Sequence, residues 1–275
     1  MSPTLDTLPP EILFTILSYT SPFSTLPLPN HPLYTVAATS KYLCNVAEEY
    51  SRGLLKRHAN LSPPKTFKSG AFTCRRRWVR WLKETCQLCG RKSTRKAILE
   101  PGLTCCNKCD RDNYPKMTQT EAITTHGLSK LDLFTPNRLH PTLPPLVLGT
   151  YTCMGGETLM LSTRTVLDRK AHIHDLLGEQ KAADTNYLRR RIAAHDRLIR
   201  HMGVVFRVRN GVGRWYIQHH IPNRGDPNAK SKVPKSMASA ESRAAYVTAN
   251  LKREWEAMGI SISGHANSPT IIEID

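Results

Sequence analysis

Two closely spaced pairs of cysteines place the strongest constraint on how this chain can fold. Cys86 and Cys89 form one Cys-x2-Cys pair, Cys106 and Cys109 form another, and sixteen residues separate the pairs. Two thiolates at this spacing grip one side of a tetrahedral ion, so two such pairs complete the four-cysteine pattern of a zinc site. Gly90 directly after the first pair permits the tight turn that this arrangement needs. We therefore predict one structural zinc ion with no open coordination position for catalysis.

The remaining cysteines fit this interpretation less well. Cys105 competes with Cys106 for the third ligand position, and we prefer Cys106 because it preserves the two-residue gap. Cys44, Cys74 and Cys153 have no partner at ligand spacing and are predicted to be inert thiols. The chain carries eight cysteines but no recognisable secretory signal, so a disulfide framework is not expected.

Charge is distributed unevenly along the 275 residues, whose formal net charge is +17. Counting Lys and Arg against Asp and Glu gives −3 for residues 1–50, +12 for 51–110, 0 for 111–180 and +8 for 181–275. Basic segments of this kind suit phosphate groups or acidic protein surfaces, although they also serve simply as solvated faces. No apolar run is long enough to cross a bilayer, so we expect a protein of the nucleus or cytoplasm with no membrane partner.

The beginning of the chain predicts a small helical cluster. After Pro9 and Pro10, apolar residues recur at helical spacing over about three turns, and two further periodic segments cover residues 33–50 and 50–58. A cluster of this size buries little apolar surface by itself.

The segment Leu-Pro-Pro-Glu-Ile-Leu at residues 8–13 and the helix after Thr39-Ser40-Lys41 resemble an F-box, and the resemblance covers about residues 5–58. It implies a substrate receptor that docks onto the Skp adaptor of a cullin ubiquitin ligase, while partner subunits carry out ubiquitin transfer. The alternative is an ordinary amphipathic helix that packs on its own domain. The resemblance implies an adaptor-binding set made of Leu8, Pro9, Ile12, Leu13, Ile16 and Leu17.

Capping signals follow the cysteine segment. Thr118 with Glu121, and Ser129 with Asp132, each place an acidic residue three positions after a hydroxyl, and Gly127 is suited to end the first helix. We predict two short helices joined by a tight turn.

The hexapeptide Met-Thr-Gln-Thr-Glu-Ala at residues 117–122, placed shortly after a four-cysteine site, resembles the central domain of the xeroderma pigmentosum group A DNA-repair family. The resemblance spans about residues 84–178, with a strand-like segment at 145–151 and a helix over 159–177. A group of fungal F-box proteins is similar in joining an F-box to such a module.

A strong amphipathic helix is predicted from Lys181 to Met202, with His195 in its apolar seam as a core histidine. In the resembling repair family, a basic helix in this region contacts the DNA backbone. The candidate phosphate contacts on the polar face are Arg189, Arg190, Arg197 and Arg200. The alternative is a solvated charged face.

The end of the chain predicts a hairpin of residues 204–208 and 214–217 around Asn210-Gly211, a flexible stretch over 222–239 and a final helix over 240–258. No nucleophile triad, glycine-rich phosphate loop or paired acidic motif is recognisable, so the sequence gives no support for catalysis.

We therefore predict a mainly α protein with a small α+β zinc-binding module. The predicted domains are an F-box (1–60), a basic linker (61–83), the zinc-binding module (84–178), a basic helix and hairpin (179–220) and a flexible segment with a C-terminal helix and tail (221–275). The leading function is a non-enzymatic F-box receptor for the Skp adaptor, the cullin ligase core and a protein substrate. The alternatives are a zinc-dependent DNA-binding repair or chromatin factor, and a stress-related scaffold.

Overall fold

The computed structural model describes residues 5–26, 30–63, 73–153, 155–209, 212–218 and 234–260. The chain divides into two compact units, Met1–Tyr114 and Pro115–Asp275. The α-helices of the described residues are α1 (Pro10–Tyr19), α2 (Pro32–Ala37), α3 (Lys41–Ala59), α4 (Cys74–Glu84), α5 (Asn107–Asn113), α6 (Gln119–His126), α7 (Lys130–Leu133), α8 (Thr163–Leu177), α9 (Glu179–Ala183), α10 (Thr185–Met202) and α11 (Ala240–Ala257). Their strands are β1 (Lys116–Thr118), β2 (Leu148–Cys153), β3 (Gly156–Ser162), β4 (Val204–Arg209) and β5 (Val212–Ile217). The prediction of a mainly helical chain with a small β part is confirmed.

The first unit is built on α1, α3 and α4. Pro9 stands at the N-cap position of α1 without a side-chain cap, and Pro10 occupies the first position of the helix, where a missing amide donor costs nothing. The apolar positions of the three helices meet in one core, and Trp78 of α4 is its largest fully buried side chain. The indole Nε1 of Trp78 donates a hydrogen bond of 2.8 Å to the carbonyl of Pro22, so the one polar atom of this ring is satisfied.

The break between the second and third helices falls earlier than predicted. The sequence predicted helices over residues 33–50 and 50–58, whereas α2 ends before Ser40 and α3 runs without interruption after it. The backbone of Ser40 is extended, and its side chain accepts a hydrogen bond from the amide of Leu43. This cap starts a new helix at a point where apolar periodicity alone shows no boundary.

The segment predicted as a basic linker, residues 61–83, contains most of α4. Thr73 caps this helix by accepting a hydrogen bond from the amide of Arg76. Trp78, Val79 and Leu82 are buried, so one side of the helix belongs to the core of the first unit. The linker prediction is therefore corrected for this part, while residues 64–72 lie outside the described residues.

The second unit contains a three-stranded antiparallel sheet of order β1-β3-β2 and a separate hairpin formed by β4 and β5. The pairing of β4 with β5 confirms the predicted hairpin, whose turn at residues 210–211 lies outside the described residues. The helix predicted from Leu159 begins only at Thr163, because residues 156–162 form the central strand β3. Leu161 of that strand is fully buried against the helices of the unit.

The capping predictions in this unit are confirmed. Thr118 accepts a hydrogen bond from the amide of Glu121, and Gly127 ends α6 with a backbone φ of 67°. Ser129 and Asp132 form a reciprocal capping box around α7. The final helix also lies where it was predicted, over Ala240–Ala257.

The predicted basic helix is observed in two pieces. α9 covers its first residues, and Asp184 then caps α10 by accepting hydrogen bonds from the amides of Asn186 and Tyr187. The predicted flexible stretch lies outside the described residues over 222–233, and its remainder includes a short 3-10 helix at Lys235–Met237.

The division between the units falls inside the predicted module of residues 84–178. The cysteine segment belongs to the first unit with the helical cluster, and the segment that starts at Pro115 belongs to the second. Its first buried residues, Met117 and Ala122, pack with side chains of α8, α10 and α11.

Candidate functional site

The four predicted metal ligands come together in the first unit. One sulfur atom from each of Cys86, Cys89, Cys106 and Cys109 lies within 4.8 Å of the other three. The Sγ atoms of Cys89 and Cys106 are 3.7 Å apart. A zinc ion with Zn–S bonds of about 2.3 Å holds sulfurs about 3.8 Å apart at tetrahedral angles, so this spacing suits that ion. The cluster can therefore hold a metal ion.

The first cysteine pair lies on a tight backbone turn. The amide of Gly90 donates to the carbonyl of Cys86 at 2.8 Å, and the amide of Cys86 donates to the carbonyl of Arg91 at 2.8 Å. Gly90 has a φ of 71°, the left-handed region that favours glycine, which confirms the role predicted for it. The turn leaves Cys86 buried and Cys89 exposed.

The second pair is presented by the start of α5. Cys106 precedes the first residue of this helix, and Cys109 lies within its first turn. Asp110 of the same turn is almost fully buried and accepts a hydrogen bond of 2.8 Å from Nη2 of Arg95. The backbone amide of Cys105 donates to the carbonyl of Arg95 at 2.8 Å. These bonds fasten α5 to the connecting loop and fix the position of the second pair.

The local electrostatics act in opposite directions on Cys86 and Cys105. Burial opposes ionisation of Cys86, but hydrogen bonds from the backbone of Cys106, Cys89 and Leu88 lower the pKa of this thiol to about 6. Burial and the neighbouring Cys86 raise the pKa of Cys105 to about 12. Cys105 therefore stays a protonated thiol in the small core beneath the cluster, and the choice of Cys106 agrees with the observed grouping.

The segment that follows α1 is hydrogen-bonded to the cysteine segment. Thr25 Oγ1 donates to the carbonyl of Gly102 at 3.0 Å, and Gln87 Nε2 donates to the carbonyl of Phe23 at 3.4 Å. The ring of Phe23 also packs edge-on against Trp78, with 5.5 Å between centroids. The metal-binding segment thus supports the chain just beyond the first helix.

The six predicted adaptor contacts divide between the surface and the core. Leu13 and Leu17 are buried in the core of the first unit, so they are removed from the docking set. Ile12 and Ile16 are 50% and 38% exposed, Pro9 is exposed, and Leu8 is half-buried.

The exposed side of α1 extends to a residue that the sequence analysis did not select. Tyr19 is 84% exposed and follows Ile16 by three residues, as Ile16 follows Ile12 by four. We call Ile12, Ile16 and Tyr19 the outer stripe of α1. An apolar stripe at helical spacing, beside a buried one, could have been recognised from the sequence as a second face.

The four predicted arginines of α10 are all exposed. Two of them also have oxygen atoms of the same segment within reach. Nη2 of Arg190 lies 3.9 Å from a carboxylate oxygen of Asp184. Nε of Arg200 donates to the backbone carbonyl of Asp196 at 3.3 Å.

A fifth arginine of α10, missed by the sequence analysis, is buried in the second unit. Arg191 makes two hydrogen bonds to the carboxylate of Asp132, at 2.6 and 2.8 Å, and a third through Nε to Glu254. His140 Nε2 lies 3.1 Å from Oδ1 of Asp132, the oxygen that also accepts the hydrogen bond from Arg191 Nη2. Arg191 shares a helix face with Leu188 and His195, and this position in an apolar seam was the available signal. We call Asp132, His140, Arg191, His195 and Glu254 the buried ionic network.

Burial and charge act in opposite directions on the carboxyl groups of this network. Burial favours the neutral acid, but the charge of Arg191 and the hydrogen bond from His140 hold the pKa of Asp132 well below its usual range. Burial likewise opposes ionisation of Glu254, yet His195 and Arg191 lower its pKa to about 2. Both carboxylates are therefore charged at neutral pH.

A serine, a histidine and a carboxylate meet in the same place, an arrangement that the sequence analysis did not find. Ser129 Oγ lies 2.6 Å from His195 Nδ1, and His195 Nε2 lies 3.3 Å from Glu254 Oε1. Ser129 is fully buried, and its hydroxyl also bonds to the carboxylate of Asp132 at 2.8 Å. A substrate cannot reach this hydroxyl, so the three residues fasten α7, α10 and α11 together.

No family model, curated protein or solved structure matches the chain. Among the described residues, every helix is too short or too polar to span a lipid bilayer.

Proposed function

We propose that this protein is a substrate receptor of a Skp/cullin/F-box ubiquitin ligase and that α1 docks onto the Skp adaptor. The observation that carries the proposal is the outer stripe of α1, which leaves three large apolar side chains in water. Contiguous exposed apolar surface of this kind is typical of a protein interface. The chain acts as a non-catalytic adaptor, and the ubiquitin chemistry belongs to the partner subunits.

The second part of the proposal is that Cys86, Cys89, Cys106 and Cys109 bind one structural zinc ion. Four thiolates are a donor set that zinc prefers, and they leave no position for a reacting water. The ion would hold the loop and α5 in place, so that this segment forms part of the surface for a protein substrate.

Co-expression with a Skp adaptor followed by size-exclusion chromatography tests the docking proposal. The variant Ile12→Asp/Ile16→Asp places two charges in the outer stripe, so it should abolish co-elution while the receptor itself stays folded. Leu13→Asp is unsuitable for this purpose, because the charge would enter the core of the unit and unfold it.

Leu167→Asp is the matched control, because Leu167 is a leucine of α8 that is 45% exposed and lies in the other unit. It should leave co-elution unchanged. Failure of the native chain to co-elute, or normal co-elution of the outer-stripe variant, would reject the docking proposal.

A nucleic-acid-binding repair or chromatin factor is the second candidate, and the exposed arginines of α10 favour it. Phosphate contacts make affinity fall steeply as salt rises. A flat salt response of DNA binding, measured with Arg189, Arg190, Arg197 and Arg200 intact, would count against it.

A further inference from the structure

The helix α4 presents a basic surface that neither the metal cluster nor the outer stripe explains. Arg76, Arg77 and Arg80 are all exposed. Within the part of the chain that the structure describes, none of these three guanidinium groups has a hydrogen bond or an ion pair. The only carboxylate on α4 is that of Glu84, one turn beyond Arg80, so this side of the helix keeps an excess of positive charge.

Packing accounts for the neighbouring arginine but not for these three. Arg75 is half-buried and pairs with the carboxylate of Glu48. Its guanidinium carbon also lies 5.1 Å from the ring centroid of Tyr34, as a cation–π contact. The fold of the first unit therefore uses one arginine of the run and leaves Arg76, Arg77 and Arg80 for another purpose.

An aromatic ring borders the same surface. Trp81 stacks on the fully buried Trp78, with 5.1 Å between centroids and 13° between ring planes. Trp81 itself is only half-buried, so it lies on the outer side of the stacked pair. Arg77 precedes Trp81 by one helical turn and therefore shares its side of α4. The surface combines guanidinium groups with an accessible indole.

This combination suits a nucleic acid better than an acidic protein. The planar guanidinium fork matches phosphate oxygens in two-point contacts, and all three exposed cations of the surface are arginines. An accessible indole offers a platform on which an unpaired base can stack. A base inside a duplex is already stacked on both faces, so the ring favours a single strand.

We propose that α4 binds single-stranded nucleic acid, with Arg76, Arg77 and Arg80 on backbone phosphates and Trp81 stacked on a base. The surface lies in the first unit and is distinct from the arginines of α10. The proposal does not rest on the ligase function, because the outer stripe and the α4 surface involve different residues.

Fluorescence anisotropy with a labelled single-stranded oligonucleotide of about 20 nucleotides tests the charge contacts in the full chain. The variant Arg76→Gln/Arg77→Gln/Arg80→Gln should bind at least about tenfold more weakly at moderate salt. Its slope of log affinity against log salt should be shallower by about 2, since each lost phosphate contact on a single strand contributes about 0.7.

A control variant that loses the same amount of charge elsewhere distinguishes the effect of this site on affinity from the effect of the protein's net charge. Arg164→Gln/Lys252→Gln/Arg253→Gln removes three exposed cations from α8 and α11 of the other unit, and it should change the affinity by less than about threefold. Equal losses in the two triple variants would overturn the proposal, as would absence of binding by the native chain at low salt.

Two substitutions of Trp81 test the stacking contact. Trp81→Leu should remove the preference for a single strand over the corresponding duplex, whereas Trp81→Phe should retain most of it. Thermal unfolding of each variant checks that the first unit remains folded. If polyglutamate displaces the labelled oligonucleotide as effectively as unlabelled DNA does, the surface is one for acidic proteins. That result would overturn the proposal.

Discussion

The two units group their polar side chains in different ways. The first gathers four thiols of like chemistry around one point, where their thiolates would repel one another. The second gathers the carboxylates of Asp132 and Glu254 around the guanidinium of Arg191, so its charges offset one another. The four thiols need a bound cation to offset their charge once they ionise, whereas the two carboxylates already have Arg191 from elsewhere in the chain. We therefore expect loss of a metal ligand to affect the first unit and loss of Arg191 to affect the second.

The largest expected effect is on the metal cluster. Replacement of one ligand, as in Cys89→Ser, should abolish tight zinc binding, whose apparent free energy at structural sites is about 10–16 kcal/mol. Native mass spectrometry should show one zinc per native chain and none in the variant. A metal-free chain with a fully folded cysteine segment would contradict the assignment.

Two further substitutions sharpen the ligand assignment. Cys44→Ser changes a half-buried thiol outside the cluster and should retain the zinc ion. Cys105→Ser should also retain it, since Cys106 supplies the third sulfur. Loss of zinc in Cys105→Ser together with retention in Cys106→Ser would reverse that choice.

The next effect concerns the buried ionic network. Arg191→Leu leaves the carboxylate of Asp132 buried without its partner, and removing one member of a buried pair costs about 3–5 kcal/mol. Urea unfolding should show this loss. Arg189→Leu, an exposed position two residues earlier on the same helix, should change the free energy of unfolding by no more than about 0.5 kcal/mol. Similar midpoints for the two variants would show that the network contributes little.

A smaller effect is expected at the hydroxyl that caps α7. Ser129→Ala removes the cap acceptor for the amide of Asp132 and the partner of His195. Loss of a cap of this kind costs about 0.5–2 kcal/mol. Chemical denaturation of the variant measures this cost, and Ser129→Thr, which keeps the hydroxyl, should recover part of it. An unchanged denaturation midpoint in Ser129→Ala would remove this residue from the stabilising network.

The smallest effect is the response of the second unit to acid. Burial lowers the pKa of His140 below its ordinary value of 6.5, so below about pH 6.5 the unfolded chain binds a proton that the folded chain refuses. Stability should therefore fall with pH from that point, by at most about 1.4 kcal/mol per pH unit for this group. Below about pH 4.5 the lowered pKa values of Glu254 and Asp132 add to the loss.

Unfolding of the second unit, followed across this pH range, measures the slope. In His140→Gln the decline between pH 6.5 and 5 should be shallower, because the titrating group is absent. The same slope in both proteins would show that His140 does not carry the effect.

Local signals in the sequence predicted much of the structure. Cysteine spacing identified the four grouped sulfurs, and short-range hydroxyl and glycine patterns located the caps of α6 and α7. Each signal lies within a few residues of the feature that it determines, so tertiary packing does not override it.

Burial was harder to predict, because it depends on contacts that are distant in sequence. Leu13 and Ile12 both fit helical periodicity, and only packing against α3 and α4 decides which of them is buried. The pairing of Arg191 with Asp132 spans 59 residues and leaves no local pattern. In α4, the run of arginines led to the prediction of a basic linker, although the apolar residues around Trp78 form a buried helix face.

The hydrogen bonds from Thr25 to Gly102 and from Gln87 to Phe23 carry a consequence for the order of assembly. The cysteine segment, which the proposed zinc ion would close, adds this support to the contacts that Trp78 makes with Pro22 and Phe23. We therefore expect metallation to precede partner binding during biogenesis. Scarcity of the ion would then reduce the number of chains that can bind the partner. Each metallated chain would keep its full affinity for that partner.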